Sequence, residues 1–191
     1  MIKSSLRLLY RQKMLALSDE EHLEKSKAIA NNFIASFNLF TISALHLFLP
    51  IIKNKEINTW LIIEEVDRIN PAVKIIISKS DFKTYEMTSH LYTKDVTMQE
   101  GRFGIIEPAS LELFNEKEID IILLPLLAFD EKGFRVGYGK GFYDRFILKC
   151  RVDVIKIGLS LFPPVAKITD TNSHDMRLNY CITPDKIIKF D

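Results

Sequence analysis

The sequence has no apolar run long enough to cross a bilayer, only two cysteines and one tryptophan in 191 residues, and almost no net charge. A membrane helix needs about 18 consecutive apolar residues. The longest runs here, residues 42–52 and 119–129, are shorter and read as interior strands. No long apolar core of the secretory-signal type stands near the amino terminus, and acidic residues arrive at Asp19. A net charge of +1 argues against a general nucleic-acid binder, which carries a marked basic excess. Cys150 and Cys181 make neither a metal-type spacing nor a disulfide framework, so they are expected as reduced, half-buried thiols. These absences leave a soluble cytoplasmic protein with neither a membrane nor a nucleic acid as partner.

What is present fits an ordinary globular chain: 47% hydrophobic and 27% charged residues, with no internal repeat, low-complexity tract or linker. The length predicts one domain with room for a good core. Residues 4–16 read as a helix with Leu6, Leu9 and Met14 on its apolar side. Ser18-Asp19-Glu20-Glu21 has the capping-box form and opens a second helix to about Phe37. Asn58 and Thr59 can cap a third through about Arg68, stopped by Asn70-Pro71. Strands are expected at residues 44–49, 73–78, 119–128, 154–161 and 176–183, with an edge strand at 82–88 and a turn-rich segment at 101–108. Apolar strands alternating with helices predict an α/β fold: a single three-layer domain whose mostly parallel central sheet is flanked by helices. Ligands of such sheets lie beyond the carboxyl ends of the strands, so the loops after Leu49 and Ala128 are the first places to look.

Four of the seven glycines crowd into nine residues, Gly133, Gly137, Gly139 and Gly141. They follow the apolar run 119–128 and precede an expected helix at 142–150. Strand, glycine loop and helix start together allow backbone N–H groups to hold a phosphate chain. The spacing is neither that of a P-loop nor that of the dinucleotide fingerprint. A plain hairpin turn accounts for Asp130 to Gly133. It does not account for three further alternating glycines beside Arg135, Lys140, Arg145 and the magnesium-suited carboxylate of Asp144.

Three weaker signals accompany the loop. Lys3, Arg7 and Arg11 fall at i, i+4 and i+8 on one helix face, either a solvated charged stripe or a contact for a polyanion. Glu56 stands at a strand-to-helix corner, where a carboxylate can bond the edge of a heterocycle. His174-Asp175 lies on a polar loop, where Asp175 can join Asp144 near a metal. Phe103, Phe142 and Tyr143 are aromatic rings suited to stacking on a flat ligand.

The run from Pro125 to Arg145, with Ala128-Phe129-Asp130, Gly133, Arg135, Gly137, Gly139, Gly141 and Tyr143-Asp144-Arg145, resembles the signature of the 5-formyltetrahydrofolate cyclo-ligase family. Lys3-Ser4-Ser5-Leu6-Arg7 is similar to that family's opening motif. Glu56-Ile57-Asn58-Thr59, Gly104-Ile105-Ile106-Glu107-Pro108 and His174-Asp175 fall in its order and approximate spacing. The resemblance covers nearly the whole chain. Phe142 stands where tyrosine is common, and Asn179 where an aspartate is frequent.

The resemblance implies a monomeric enzyme that takes ATP and 5-formyltetrahydrofolate, with Mg2+, to 5,10-methenyltetrahydrofolate, ADP and phosphate. It implies an ATP site of Lys3, Ser4, Ser5, Leu6 and Arg7 with Arg135, Val136, Gly137, Tyr138, Gly139, Lys140, Gly141, Phe142 and Tyr143. Arg135 and Lys140 would be the catalytic cations. Glu56, Asn58, Tyr138, Gly139, Lys140, Gly141 and Phe142 would meet the folate, and Asp144 and Asp175 the metal. Two other readings compete: a nucleotide or folate sensor that binds without turnover, and a sugar-phosphate isomerase or coenzyme-A transferase of related architecture.

Overall fold

The computed structural model describes residues 1–95, 97–101, 106–108 and 112–191. Two helices open the chain. The first, α1 (Lys3–Ala16), buries Leu6, Tyr10 and Met14, one residue per turn along a single face. The second, α2 (Asp19–Ser36), starts at the expected capping box: Ser18 Oγ accepts from Glu21 N–H at 3.0 Å, and Glu21 Oε2 accepts from Ser18 N–H at 2.8 Å. Both bonds satisfy N–H groups that a helix start leaves without partners.

The strands β1 (Ala44–His46), β2 (Lys74–Asp81), β3 (Glu86–Leu91), β6 (Ile121–Pro125), β9 (Ile155–Leu159), β10 (Tyr180–Ile182) and β11 (Ile187–Lys189) form one sheet in the order β11-β10-β9-β6-β1-β2-β3. The five inner strands pair in parallel, while β3 and β11 are antiparallel edges. Two hairpins stand apart: β4 (Met98–Glu100) with β5 (Ile106–Pro108), and β7 (Ala128–Phe129) with β8 (Arg135–Val136).

Alternation along the strands divides the core between the two faces. Leu45, Ile75, Ile77, Ile121, Leu123, Ile157, Leu159 and Ile182 pack against α1, α2 and α3 (Trp60–Ile69). Ala44, Ile76, Ile122, Leu124 and Cys181 pack on the other side with Phe146 and Ile147 of α4 (Phe142–Ile147) and with Phe129 and Phe190. Helices therefore cover both faces, as expected of an α/β three-layer arrangement. Helix α3 carries the chain from β1 to β2, and α4 carries it from β6 to β9, in opposite directions away from the β1/β6 pair. Strand order reverses there, and a crevice opens beyond the carboxyl ends of strands at such a reversal.

Several boundaries differ from the sequence expectation. The apolar run 119–128 is a strand only to Pro125. Leu126 and Leu127 turn the chain, and Ala128 starts the hairpin whose turn is closed by Gly133 N–H on Asp130 O at 3.0 Å. Nothing in the sequence marks such a break, because Leu126 and Leu127 are as apolar as the strand before them. The expected edge strand at 82–88 is the tip of a β2–β3 hairpin, with β3 beginning at Glu86. Helix α4 has six residues rather than nine, and the strand expected at 176–183 is confined to Tyr180–Ile182. Strand β11 was not expected. Of the segment 101–108, Arg102, Phe103, Gly104 and Ile105 lie outside the described residues. Among the described residues, no helix is long and apolar enough to cross a membrane.

Candidate active site

A cavity of about 670 Å³ opens where β1, β6 and β2 end, at the reversal of strand order. Its volume lies within the range of small-molecule sites. Phe48, Leu49 and Ile51 reach it from the loop after β1, Pro125 from the end of β6, and Ser78 and Ser80 from β2. Lys3, Arg7 and Arg11 line one wall from α1, so the i, i+4, i+8 stripe faces the cavity rather than bulk solvent. Lys3 Nζ donates to both carboxylate oxygens of Asp175 at 2.6 Å. Arg7 Nε donates to the carbonyl of Gly137 at 3.0 Å.

The glycine loop forms the floor. Gly139 and Gly141 have φ of +91° and +68°, a left-handed region that side chains with a Cβ rarely adopt. A Cβ on Gly139 would stand 3.1 Å from the Arg7 guanidinium, so loop and helix approach because this residue has no side chain. Gly137 has neither constraint. Helix α4, one and a half turns long, adds little dipole, so the phosphate-holding capacity of this segment lies in its loop amides and cations.

Arg135 departs from the picture of a free catalytic cation. Its side chain is buried, with Nη2 on Asp144 Oδ1 at 2.8 Å and Nη1 on the Met176 carbonyl at 2.5 Å. The same Asp144 oxygen accepts from Met176 N–H at 3.1 Å. Arg135 thus ties the β7–β8 hairpin to α4 and to the segment before β10, with one edge at the cavity. Lys140 lies 5.7 Å from the centre of the Tyr85 ring and has no ion pair among the described residues.

Glu56, in the lining next to the 3-10 turn after β1, is buried, its Oε2 accepting from Ile51 N–H at 2.8 Å and its carboxylate hydrogen-bonded by Tyr138. Burial raises the Glu56 pKa above the usual carboxylate range, while the bonds from Tyr138 and Ile51 pull it back in part. Tyr138 is held well above its ordinary value, first by burial and then by the Glu56 charge. Burial likewise raises the Tyr143 hydroxyl.

The cavity therefore gathers Lys3, Arg7, Glu56, Arg135, Gly137, Tyr138, Gly139, Lys140, Gly141, Phe142, Tyr143, Asp144 and Asp175. It does not gather the rest of the expected set. Ser4 and Ser5 point to solvent, Leu6 and Val136 are core, and Asn58 faces α3, where its Oδ1 accepts from Trp60 N–H at 3.2 Å. The sequence reading missed Lys53, Asn54, Ser78, Ser80, Phe82 and Met87, which line the same cavity. Lys53 and Asn54 come from the loop after β1, and the others from the β2–β3 hairpin, whose local sequence carries no motif and which sheet order brings in. Among the described residues no group of three or more His, Cys, Asp or Glu side chains is placed to hold a metal.

The sequence matches the 5-formyltetrahydrofolate cyclo-ligase family over residues 2–184. It is 25% identical over 194 residues to the 5-formyltetrahydrofolate cyclo-ligase of Mus musculus, covering 96% of this chain and 94% of that protein. A probable 5-formyltetrahydrofolate cyclo-ligase of Schizosaccharomyces pombe is 28% identical over 113 residues, 52% of this chain and 55% of that one. The NMR structure of Aquifex aeolicus 5,10-methenyltetrahydrofolate synthetase superposes with a TM-score of 0.82 at 27% identity, covering 99% of this chain and 93% of that one. With the glycine-loop signature, the cavity and the fold in agreement, the chain is an enzyme of the 5-formyltetrahydrofolate cyclo-ligase family.

Proposed function

We propose that the chain converts 5-formyltetrahydrofolate and ATP to 5,10-methenyltetrahydrofolate, ADP and phosphate, acting as a cytoplasmic, single-domain monomer. One observation carries this reading. A single cavity gathers the cations and glycine-loop amides suited to a polyphosphate together with the buried Glu56 carboxylate and the Tyr138 hydroxyl suited to a heterocycle.

A formamide oxygen is a poor leaving group and must be activated before the ring can close. The formyl oxygen attacks the γ-phosphorus of ATP, and the bond from that phosphorus to the ADP oxygen breaks. N10 then attacks the resulting imidoyl phosphate carbon. The C–O bond breaks, phosphate leaves, and the N10 proton departs with it. The attacking oxygen carries no proton, so no strong base is required. The protein's task is to hold two ligands in line and to neutralise charge developing on the phosphoryl group. Lys3, Arg7, Lys140 and the loop amides would hold the phosphates. Glu56, with Tyr138, would meet the donor edge of the pterin. Tyr138 to Phe142 border both.

Asp144 fits magnesium, because its second carboxylate oxygen has no protein hydrogen bond among the described residues and oxygen donors suit this ion. Asp175, neutralised by Lys3, is the weaker ligand. Bound with the nucleotide, the ion would offset the phosphate charge.

The test is purified protein with 5-formyltetrahydrofolate, ATP and magnesium, followed by the near-ultraviolet absorbance of the methenyl product. A band that requires all three supports the proposal. ATP binding without the band would assign a nucleotide-binding protein with another acceptor.

A further inference from the structure

His46 is the one fully buried histidine among the described residues, and the proposed chemistry does not use it. It ends β1, and its register partner is Ile76. Side chains two apart on a strand share a face, so Ser78 projects on the same side as His46. The His46 Nε2 to Ser78 Oγ distance is 2.6 Å, and Ser78 lines the cavity. The imidazole is packed 4.8 Å from the Phe146 ring and 6.0 Å from that of Tyr143. Its Nδ1 has no hydrogen-bond partner among the described residues. Directly across the hairpin from Ser78 stands Ser89, also fully buried, whose Oγ likewise has no partner among the described residues.

The ring is neutral, because burial lowers its pKa to about 3. A neutral imidazole carries one N–H, and the unpartnered Nδ1 decides where it is. A buried N–H without an acceptor is rarer than a buried lone pair without a donor. The proton therefore sits on Nε2 and is donated to Ser78 Oγ. That leaves the serine hydrogen uncommitted to His46 and available to the cavity.

The surroundings of Ser78 differ from the phosphate wall. Ser80 and Met87, paired across the hairpin, continue the same face, and Phe82 and Phe142 rings pack edge to face at 5.2 Å beside it. Lys3, Arg7 and Asp175 come instead from α1 and the segment before β10. We propose that Ser78, Met87, Phe82 and Phe142 form a subsite for a flat aromatic group bearing a hydrogen-bond acceptor, with the Ser78 hydroxyl as donor and His46 as its positioning residue. A ring nitrogen of adenine and a ring or amide acceptor of the folate have this same chemistry. The proposal rests on the function given above and adds Ser78 and His46, which that function leaves without a role, beside Phe142, which already borders its ligands.

The experiment measures binding without turnover, by titrating ADP and, separately, 5-formyltetrahydrofolate into wild type, S78A, H46L and H46Q, with unfolding temperature recorded for each. Loss of one neutral hydrogen bond predicts about 3- to 10-fold weaker binding of one of the two probes to S78A. Weakening confined to ADP assigns the subsite to adenine, and weakening confined to the folate assigns it to that ligand. H46L should show the same selective loss, and H46Q, whose amide N–H can replace Nε2–H, should recover most of it. Nitrogen-15 spectra of the wild type should show a protonated Nε2 and a bare Nδ1. S78A that binds both probes as wild type does overturns the subsite, even if H46L fails to fold. A proton on Nδ1, or H46Q no better than a folded H46L, overturns the role of His46. Wild type that binds neither probe would instead sink the proposed function.

Discussion

Arg7 Nε donates to the Gly137 carbonyl at 3.0 Å, joining the first helix to the start of the glycine loop across 130 positions of sequence. The bond anchors the guanidinium of a residue that lines the cavity. It also fixes the carbonyl of a residue whose neighbours must present amides to a phosphate. Arg7 therefore has two tasks, charge and loop order, and they separate by substitution. Arg7→Lys keeps the charge without the planar fork. It should loosen residues 137–141, seen as faster amide exchange, while retaining part of the ATP affinity. Arg7→Ala should lose both, with KM for ATP rising on the order of tenfold or more. Unchanged exchange in both variants would show that the bond does not order the loop.

The buried ion pair of Arg135 with Asp144 leads to a second expectation. A buried guanidinium that loses its carboxylate partner is left charged and unpaired, and breaking such a pair costs about 3–5 kcal/mol in a closed interior. Asp144 is a third exposed, so water recovers part of that, and Asp144→Asn should cost about 2 kcal/mol. If Asp144 also holds magnesium, the apparent magnesium requirement of the variant rises as well. Thermal unfolding reads the first effect, and a magnesium titration of activity reads the second. A stability loss with an unchanged magnesium dependence would leave Asp144 a structural residue.

Much of this architecture is legible in the sequence where short-range chemistry decides it. The capping box at Ser18 and Glu21, the turn at Asp130 to Gly133 and the glycine loop each follow from a few adjacent residues. The break after Pro125 is invisible, because Leu126 and Leu127 are as apolar as the strand before them. In the site, Lys3, Arg7 and Glu56 are readable as candidates, but their convergence depends on sheet order. The contact of His46 with Ser78 has no sequence signal at all: it requires the β1–β2 register. Arg135 shows the converse. It reads as a free phosphate ligand beside three glycines, yet the chain returns to place Asp144 and the Met176 carbonyl on its guanidinium.

Glu56 gives a pH prediction whose sign follows from its burial. Its folded pKa is raised above the ordinary value, 4.5, so the protonated form is the one the fold favours. The stability it contributes is complete below that ordinary value and is lost as pH rises through the folded one. Glu56→Gln removes a group whose ionisation the fold disfavours, so its advantage grows as pH rises. The amide keeps an acceptor for Ile51 N–H and a partner for Tyr138. The variant should therefore unfold at a higher temperature than wild type at pH 7.5, with the gap closing toward pH 4. Its KM for 5-formyltetrahydrofolate should rise, because a neutral amide binds a pterin donor edge less strongly than a carboxylate does. A gap that widens toward acid would contradict the assigned direction.

The loop glycines differ in ways that separate backbone strain from space. Gly137→Ala adds a methyl with nothing within 4 Å and no left-handed φ, so the fold should tolerate it within about 0.5 kcal/mol. Gly139→Ala meets two obstacles at once, a φ of +91° and a Cβ 3.1 Å from the Arg7 guanidinium. The backbone obstacle alone is worth about 1–2 kcal/mol. Relief requires Arg7 to move, which breaks its bond to Gly137 and withdraws a cation from the phosphate wall. Gly139→Ala should therefore lose ATP affinity out of proportion to its stability, and adding Arg7→Ala to it should have little further effect on ATP binding. A double-mutant cycle on the ATP dissociation constant measures that coupling. Additive losses would mean that Gly139 and Arg7 serve the nucleotide independently, and that their close approach does not set the geometry of the site.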